Sequence, residues 1–190
     1  MRLRYNAPVI LNFTLLSTIV LTISTLTPLD LRNLFAVSPG FRLEDPVWYL
    51  QLFIHVIGHA DWNHLFGNFS FILLVGPILE EKYGSRDLLL MILVTALLTG
   101  LLQVTFFQHA LMGASGIVFM LILLSSFTNA KGGIPLTFVL VVVLFLGKEV
   151  VSSFGEDNVS QFAHIIGGVM GGIFGFILEG GQARRRGEKL

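Results

Sequence analysis

Apolar runs long enough to cross a bilayer dominate this 190-residue chain and leave few folds open to it. A helix needs about 20 apolar residues to span a hydrocarbon core about 30 Å thick. Six runs approach that length: residues 8–29, 62–79, 88–107, 114–128, 134–151 and 159–178. Backbone N–H and C=O groups cannot stay unpaired in hydrocarbon, so such runs form helices packed as a bundle. Composition agrees, with 54% hydrophobic residues, 13% charged residues and a mean hydropathy of +0.79, beyond what a soluble domain of this size carries. The expected fold is an all-α membrane protein, a bundle of six transmembrane helices forming a single domain over residues 1–190. The longest connection, from Asp30 to Asp61, is rich in Phe, Trp and Leu and is expected to lie partly in the membrane interface.

The first run follows Met1-Arg2-Leu3-Arg4 but is too long, and too poor in a small-residue cleavage site, for a signal peptide; it reads as a retained anchor. Lys and Arg set the orientation. Arg2, Arg4, Lys82, Arg86, Lys131, Arg184, Arg185, Arg186 and Lys189 fall on one side and Arg32, Arg42 and Lys148 on the other. That excess places both termini in the cytoplasm. Runs two, four and six then enter from outside, and their first turns hold the polar residues that hydropathy alone would not place there.

Run two carries His64 and Asn68, four residues apart and so on one helical face. Run four opens with Gly113-Ala114-Ser115-Gly116, and run six carries His164 ahead of Gly167, Gly171 and Gly175. These groups share a depth just below the outer surface. Run four has only 15 residues, about 22 Å of helix, so Ser115 starts below that surface. Residues 108–112 must then enter the membrane without helical hydrogen bonds, which is tolerated only where protein or a water-filled cavity satisfies the backbone.

The chain has no cysteine, so covalent catalysis must use oxygen. A serine hydroxyl becomes a useful nucleophile when a base takes its proton, and His164 is the candidate base for Ser115. The glycine face of run six permits close helix approach. No carboxylate lies near the pair on either helix, which leaves a dyad rather than a triad. Phe119, one turn beyond Ser115, could orient the imidazole by packing. Donors for the oxyanion of a tetrahedral intermediate would be the Ser115 N–H at a helix N-terminus, Asn68 and His64.

Together these residues resemble the rhomboid family of intramembrane serine proteases, over roughly Trp48 to Leu178. The matching motifs are Gly113-Ala114-Ser115-Gly116, His64 with Asn68, and Ala163-His164-Ile165-Ile166-Gly167. The resemblance implies a six-helix core, Ser115 as nucleophile, His164 as base, and His64 with Asn68 as oxyanion donors. His59 falls where the family has a second histidine, and Glu80 where it has a structural glutamate. The chain departs from the family pattern at Tyr49, where arginine often follows the tryptophan, and at Phe119, commonly tyrosine. The implied substrates are transmembrane proteins cleaved in or beside the lipid bilayer, with access past helix five or the loop at residues 152–161. No cofactor, metal or nucleic acid is called for, and the oligomeric state is left open. The expected location is a bacterial inner membrane, crossed several times.

Other readings of the same residues remain. Glycine, alanine and serine line helix interfaces for packing alone, and intramembrane His and Asn can line a transport path. Against a transporter, the polar groups cluster on the outer side, and residues 119–124 of run four and 137–146 of run five offer no continuing polar path. His55, His59 and His64 suggest a metal site, but neither an HExxH motif nor a carboxylate ligand accompanies them.

Overall fold

The computed structural model describes residues 5–127, 134–147 and 159–186. Among these the chain forms seven helices: α1 (Pro8–Leu26), α2 (Pro46–Ile54), α3 (Trp62–Tyr83), α4 (Ser85–Phe106), α5 (Ser115–Ser125), α6 (Leu136–Val141, continued by a π-helical turn at Val142–Leu146) and α7 (Val159–Arg186). Helices α1, α3, α4 and the Gln161–Leu178 part of α7 are long and apolar enough to cross a membrane.

The helix boundaries correct those expected from hydropathy. The first run ends at Leu26, not at residue 29: Thr27 is extended at φ −126°, and the ring of Pro28 disfavours helix in the residue before it. The second continues past residue 79 to Tyr83 and stops at Gly84, whose φ of 87° suits glycine. Helices end where backbone geometry ends them, not where apolar composition does. The third begins at Ser85, directly after Gly84, and the last continues to Arg186. The fourth is Ser115–Ser125 and closes in tighter turns at Ser126 and Phe127; Thr128 lies outside the described residues, as do residues 148–151 of the fifth run and most of the loop at 152–161. Helix α2, inside the 30–61 connection, was not expected. Its cue is Asp45-Pro46: the Asp45 carboxylate accepts the Val47 N–H, and Pro46 opens the first turn.

Helix α5 sits at the centre, against α3, α4, α6 and α7. Its residues Ile117, Met120, Leu121, Leu123 and Leu124 are sealed from the surface. The α7 face is built from glycine. A Cβ on Gly167 would collide with the Gly116 carbonyl, one on Gly171 with the Met120 carbonyl, and one on Gly175 with the Phe127 ring. Backbone therefore meets backbone along this seam, and dispersion contacts replace side-chain volume. At the far end of α3, Lys82 Nζ donates to the Phe127 carbonyl at 3.0 Å. Beside it the Glu80 carboxylate accepts the Val9 and Ile10 N–H groups at 2.9 and 3.0 Å and the Ser85 hydroxyl at 2.7 Å. A buried carboxylate on the first turn of α1 satisfies N–H groups that a helix cannot pair for itself.

Candidate active site

Four segments converge at the N-terminus of α5. The approach to it, residues 107–114, is not helical, yet its backbone is satisfied by protein. Val37 and Leu111 exchange antiparallel hydrogen bonds at 3.0 and 2.9 Å, and the Gly113 N–H donates to the His55 carbonyl at 3.0 Å. The buried Gln103 amide donates to the His109 carbonyl at 2.7 Å. Ser115 therefore begins its helix on a fixed platform, half-buried. The N-cap residue Ala114 has no side-chain acceptor, so the first-turn N–H groups face the site with the positive end of the helix dipole.

Gly113 is glycine for two reasons. Its φ of 126° is strained for any residue with a Cβ. An added Cβ would also lie 2.6 Å from Cε1 and 2.8 Å from Nε2 of His64, and 3.8 Å from the Asn68 amide nitrogen. The His64 imidazole and the Asn68 amide thus lie directly against the backbone entering Ser115. Their helix is started by Asp61, whose carboxylate accepts the His64 N–H at 2.8 Å.

Asn68 is held by His59. His59 Nδ1 faces the Ile57 carbonyl at 3.1 Å, and a carbonyl only accepts, so that nitrogen carries the proton. Nε2 then accepts from Asn68 Nδ2 at 3.0 Å. One amide N–H is thereby used and the other is left for the site. The His59 ring also packs edge-on to His64 at 5.0 Å. His59 and His55 lie between α2 and α3, and burial lowers each imidazole pKa to about 4.

His164 is carried by α7. Its half-buried ring stacks on Phe119 with centroids 4.3 Å apart and planes 7° from parallel. A Cβ on Gly116 would lie 3.2 Å from the Ala163 carbonyl oxygen and 3.4 Å from Thr99 Cγ2. The residue after Ser115 therefore touches the residue before His164, and Gly167 touches Gly116 from the next turn. His64 and His164 lie within electrostatic reach of each other. Ser115, His164, His64, Asn68, His59, Gly113, Gly116, Phe119 and Gly167 thus gather in one region, while Glu80 lies at the opposite end of α3.

Sequence reasoning missed Asp61, Gln103 and Thr99. Asp61 had a cue, an acidic residue just before an apolar helix; the contacts of Gln103 and Thr99 exist only in the folded chain. Among the described residues no group of three His, Cys, Asp or Glu could hold a metal ion. His55 Nε2 faces the Ala96 carbonyl at 3.1 Å, whereas His59 Nε2 faces Asn68.

Comparison with known proteins adds an independent line. The Rhomboid domain profile matches residues 46–180. The chain is 25% identical over 144 residues to Rhomboid protease GlpG of Haemophilus influenzae, covering 73% of this chain and 74% of that protein. It is 31% identical over 132 residues to the chloroplastic Rhomboid-like protein 11 of Arabidopsis thaliana (68% of this chain) and 31% identical over 167 residues to RHOMBOID-like protein 4 of that plant (83%). The chain spans 44% and 39% of the length of these two plant relatives. A domain match over most of the chain, on an all-α architecture with four helices of membrane-spanning length, makes this a multi-pass integral membrane protein that belongs to the rhomboid family.

Proposed function

We propose that this chain is an intramembrane serine endopeptidase that cleaves transmembrane protein substrates in or beside the bilayer through a Ser115–His164 dyad. The observation that carries the reading is the backbone contact of Gly116 with Ala163 and Gly167, which brings the turn bearing Ser115 against the turn bearing His164. In the mechanism, Ser115 Oγ attacks the substrate carbonyl carbon as His164 accepts the hydroxyl proton. The oxyanion accepts hydrogen bonds from the Ser115 N–H, the free N–H of Asn68 and His64; one such donor typically lowers the barrier by about 3 kcal/mol. The C–N bond breaks, and the His164 imidazolium protonates the leaving amine. Water, deprotonated by His164, then hydrolyses the Ser115 ester and restores both residues.

Six membrane crossings in one domain, with both termini cytoplasmic, belong to the same proposal. In it α5 and α6 cross with the four longer helices, and substrate reaches the site past α6. The Lys82 contact with the end of α5 supports this topology, because it sets the basic end of α3 beside the end of α5 remote from Ser115.

The test is cleavage of a single-span membrane protein by purified protein in bilayers, without added metal or nucleotide. Ser115→Ala and His164→Ala should each abolish it, and the double variant should be no worse, because nucleophile and base act as one unit. Asn68→Ala should lower kcat by about ten- to a thousandfold with little change in KM. Wild-type cleavage by Ser115→Ala would remove the proposal.

A further inference from the structure

We propose that the groove between α1, α2 and α4 binds one membrane phospholipid with an anionic headgroup. The groove has a volume of about 290 Å³. Phe13, Val56 and Ile92 form its buried floor, and Leu16, Leu89 and Leu93 form walls that stay 51%, 44% and 38% exposed. Asn12 is the one polar side chain in the lining. A bound water needs two to four polar partners, so water does not fill this space, whereas hydrocarbon lies alongside it in a membrane. From Val9 to Leu16 the α1 wall runs about 10 Å, and the end of α2 closes the top.

Polar groups at the open end specify more than hydrocarbon. Arg86 is exposed in the first turn of α4, and it precedes Leu89 and Leu93 by three and seven residues, so all three share one flank. Among the described residues Arg86 makes no ion pair. The adjacent carboxylate, Asp87, is turned about 100° away around the helix. Across the groove the Tyr5 hydroxyl donates to Asn12 Oδ1 at 2.6 Å, which leaves the Asn12 amide N–H groups as donors. The match is to one amphiphile: phosphate on Arg86, an ester carbonyl on Asn12, and an acyl chain along the apolar floor. A headgroup with net negative charge keeps its attraction to Arg86, while the cation of a zwitterionic headgroup offsets it.

Native mass spectrometry of the full chain, released from micelles containing equal phosphatidylglycerol and phosphatidylcholine with the same acyl chains, tests the site. Wild type should retain one lipid, with about fivefold preference for phosphatidylglycerol, the effect of one basic residue at an anionic surface. Arg86→Gln should bring the ratio near one while lipid is still retained. Leu16→Trp, at an exposed wall, should fill the groove and remove the retained lipid; Leu93→Phe should do so partly, and circular dichroism melting reports whether each is folded. An undiminished preference in Arg86→Gln, or the same retained lipid in folded groove-filled variants, would overturn the proposal. The readout does not involve cleavage, so it stands or falls apart from the protease reading.

Discussion

Helices α5 and α6 lie side by side but are built by opposite rules. Helix α5 buries eight of its eleven residues, and its contact with α7 is backbone against backbone through Gly116, Gly167 and Gly171. The Leu136–Val141 part of α6 buries none of its residues. It is joined to the rest by aromatic contacts, with Phe138 4.6 Å from the Phe127 ring and 5.6 Å from Phe176, and by Val141 and Val142 packed partly buried against the core. Helix α6 also passes into a π-helical turn at Val142–Leu146, a feature that weakens helical regularity and often accompanies function. A backbone seam has one spacing, because carbonyls cannot rotate out of the way. Rings can separate and return. The difference teaches where precision resides: the seam holds the turns of Ser115 and His164 in register, and the access past α6 proposed above would use the less firmly packed element.

The largest effect should come from closing the seam's tolerance. Gly167→Ala drives a Cβ into the Gly116 carbonyl and should cost about 3 kcal/mol, the upper part of the overpacking range, read as a fall in unfolding temperature in detergent. Gly172→Ala, on the same helix, would place its Cβ in ordinary contact 3.5 Å from Phe138 Cζ and should be neutral or stabilising by up to about 1 kcal/mol, the helix-propensity gain of Ala over Gly. Equal losses at the two glycines would break the comparison. Next is Gly113→Ala, which adds a Cβ at φ 126° against the His64 ring. It should lower kcat by about a hundredfold, the usual penalty for a displacement of about 1 Å at a reacting centre.

A pH effect on the rigid side follows. His55 and His59 are lowered to about 4 by burial, whereas in the unfolded chain they titrate near 6.5. Above that range both states are neutral and the groups contribute nothing to pH dependence. As pH falls from about 6.5 to about 4 the unfolded chain binds protons that the folded chain does not, so stability falls across that window. Denaturant melts at pH 7 and pH 5 should show the drop, and His55→Phe should shrink it if the protein stays folded. The smallest effect is expected at α6. Phe138→Ala should cost about 1 kcal/mol of aromatic contact yet raise the cleavage rate of a transmembrane substrate a few-fold. A slower rate would make α6 a structural wall rather than a movable one.

Legibility in the sequence followed the range of the forces involved. Hydropathy is summed locally, so α1, α3, α4 and α7 were visible as apolar runs, and the fourth run was visible as a short one. Their ends were not, because Pro28 and the positive φ of Gly84 stop helices by backbone geometry, and polar Glu80 to Tyr83 continue α3 beyond its apolar part. Helix α2 escaped because nine residues are too few to register as a span, although Asp45-Pro46 was a readable start. At the site, the residue types and their positions near the first turns of three apolar runs were readable. The bonds that fix them were not: His59 on Asn68, Gln103 on the His109 carbonyl and Val37 on Leu111 join segments 9, 6 and 74 residues apart, in directions that helical periodicity does not encode.

The most direct measurement is covalent labelling by a fluorophosphonate, read as intact mass and then as the modified peptide. One adduct per chain should form, on Ser115, slowed severely by His164→Ala and in step with the loss of cleavage by Gly167→Ala. Labelling that persists in Ser115→Ala, or that is as fast in His164→Ala as in wild type, would contradict a dyad set in register by the α5–α7 seam.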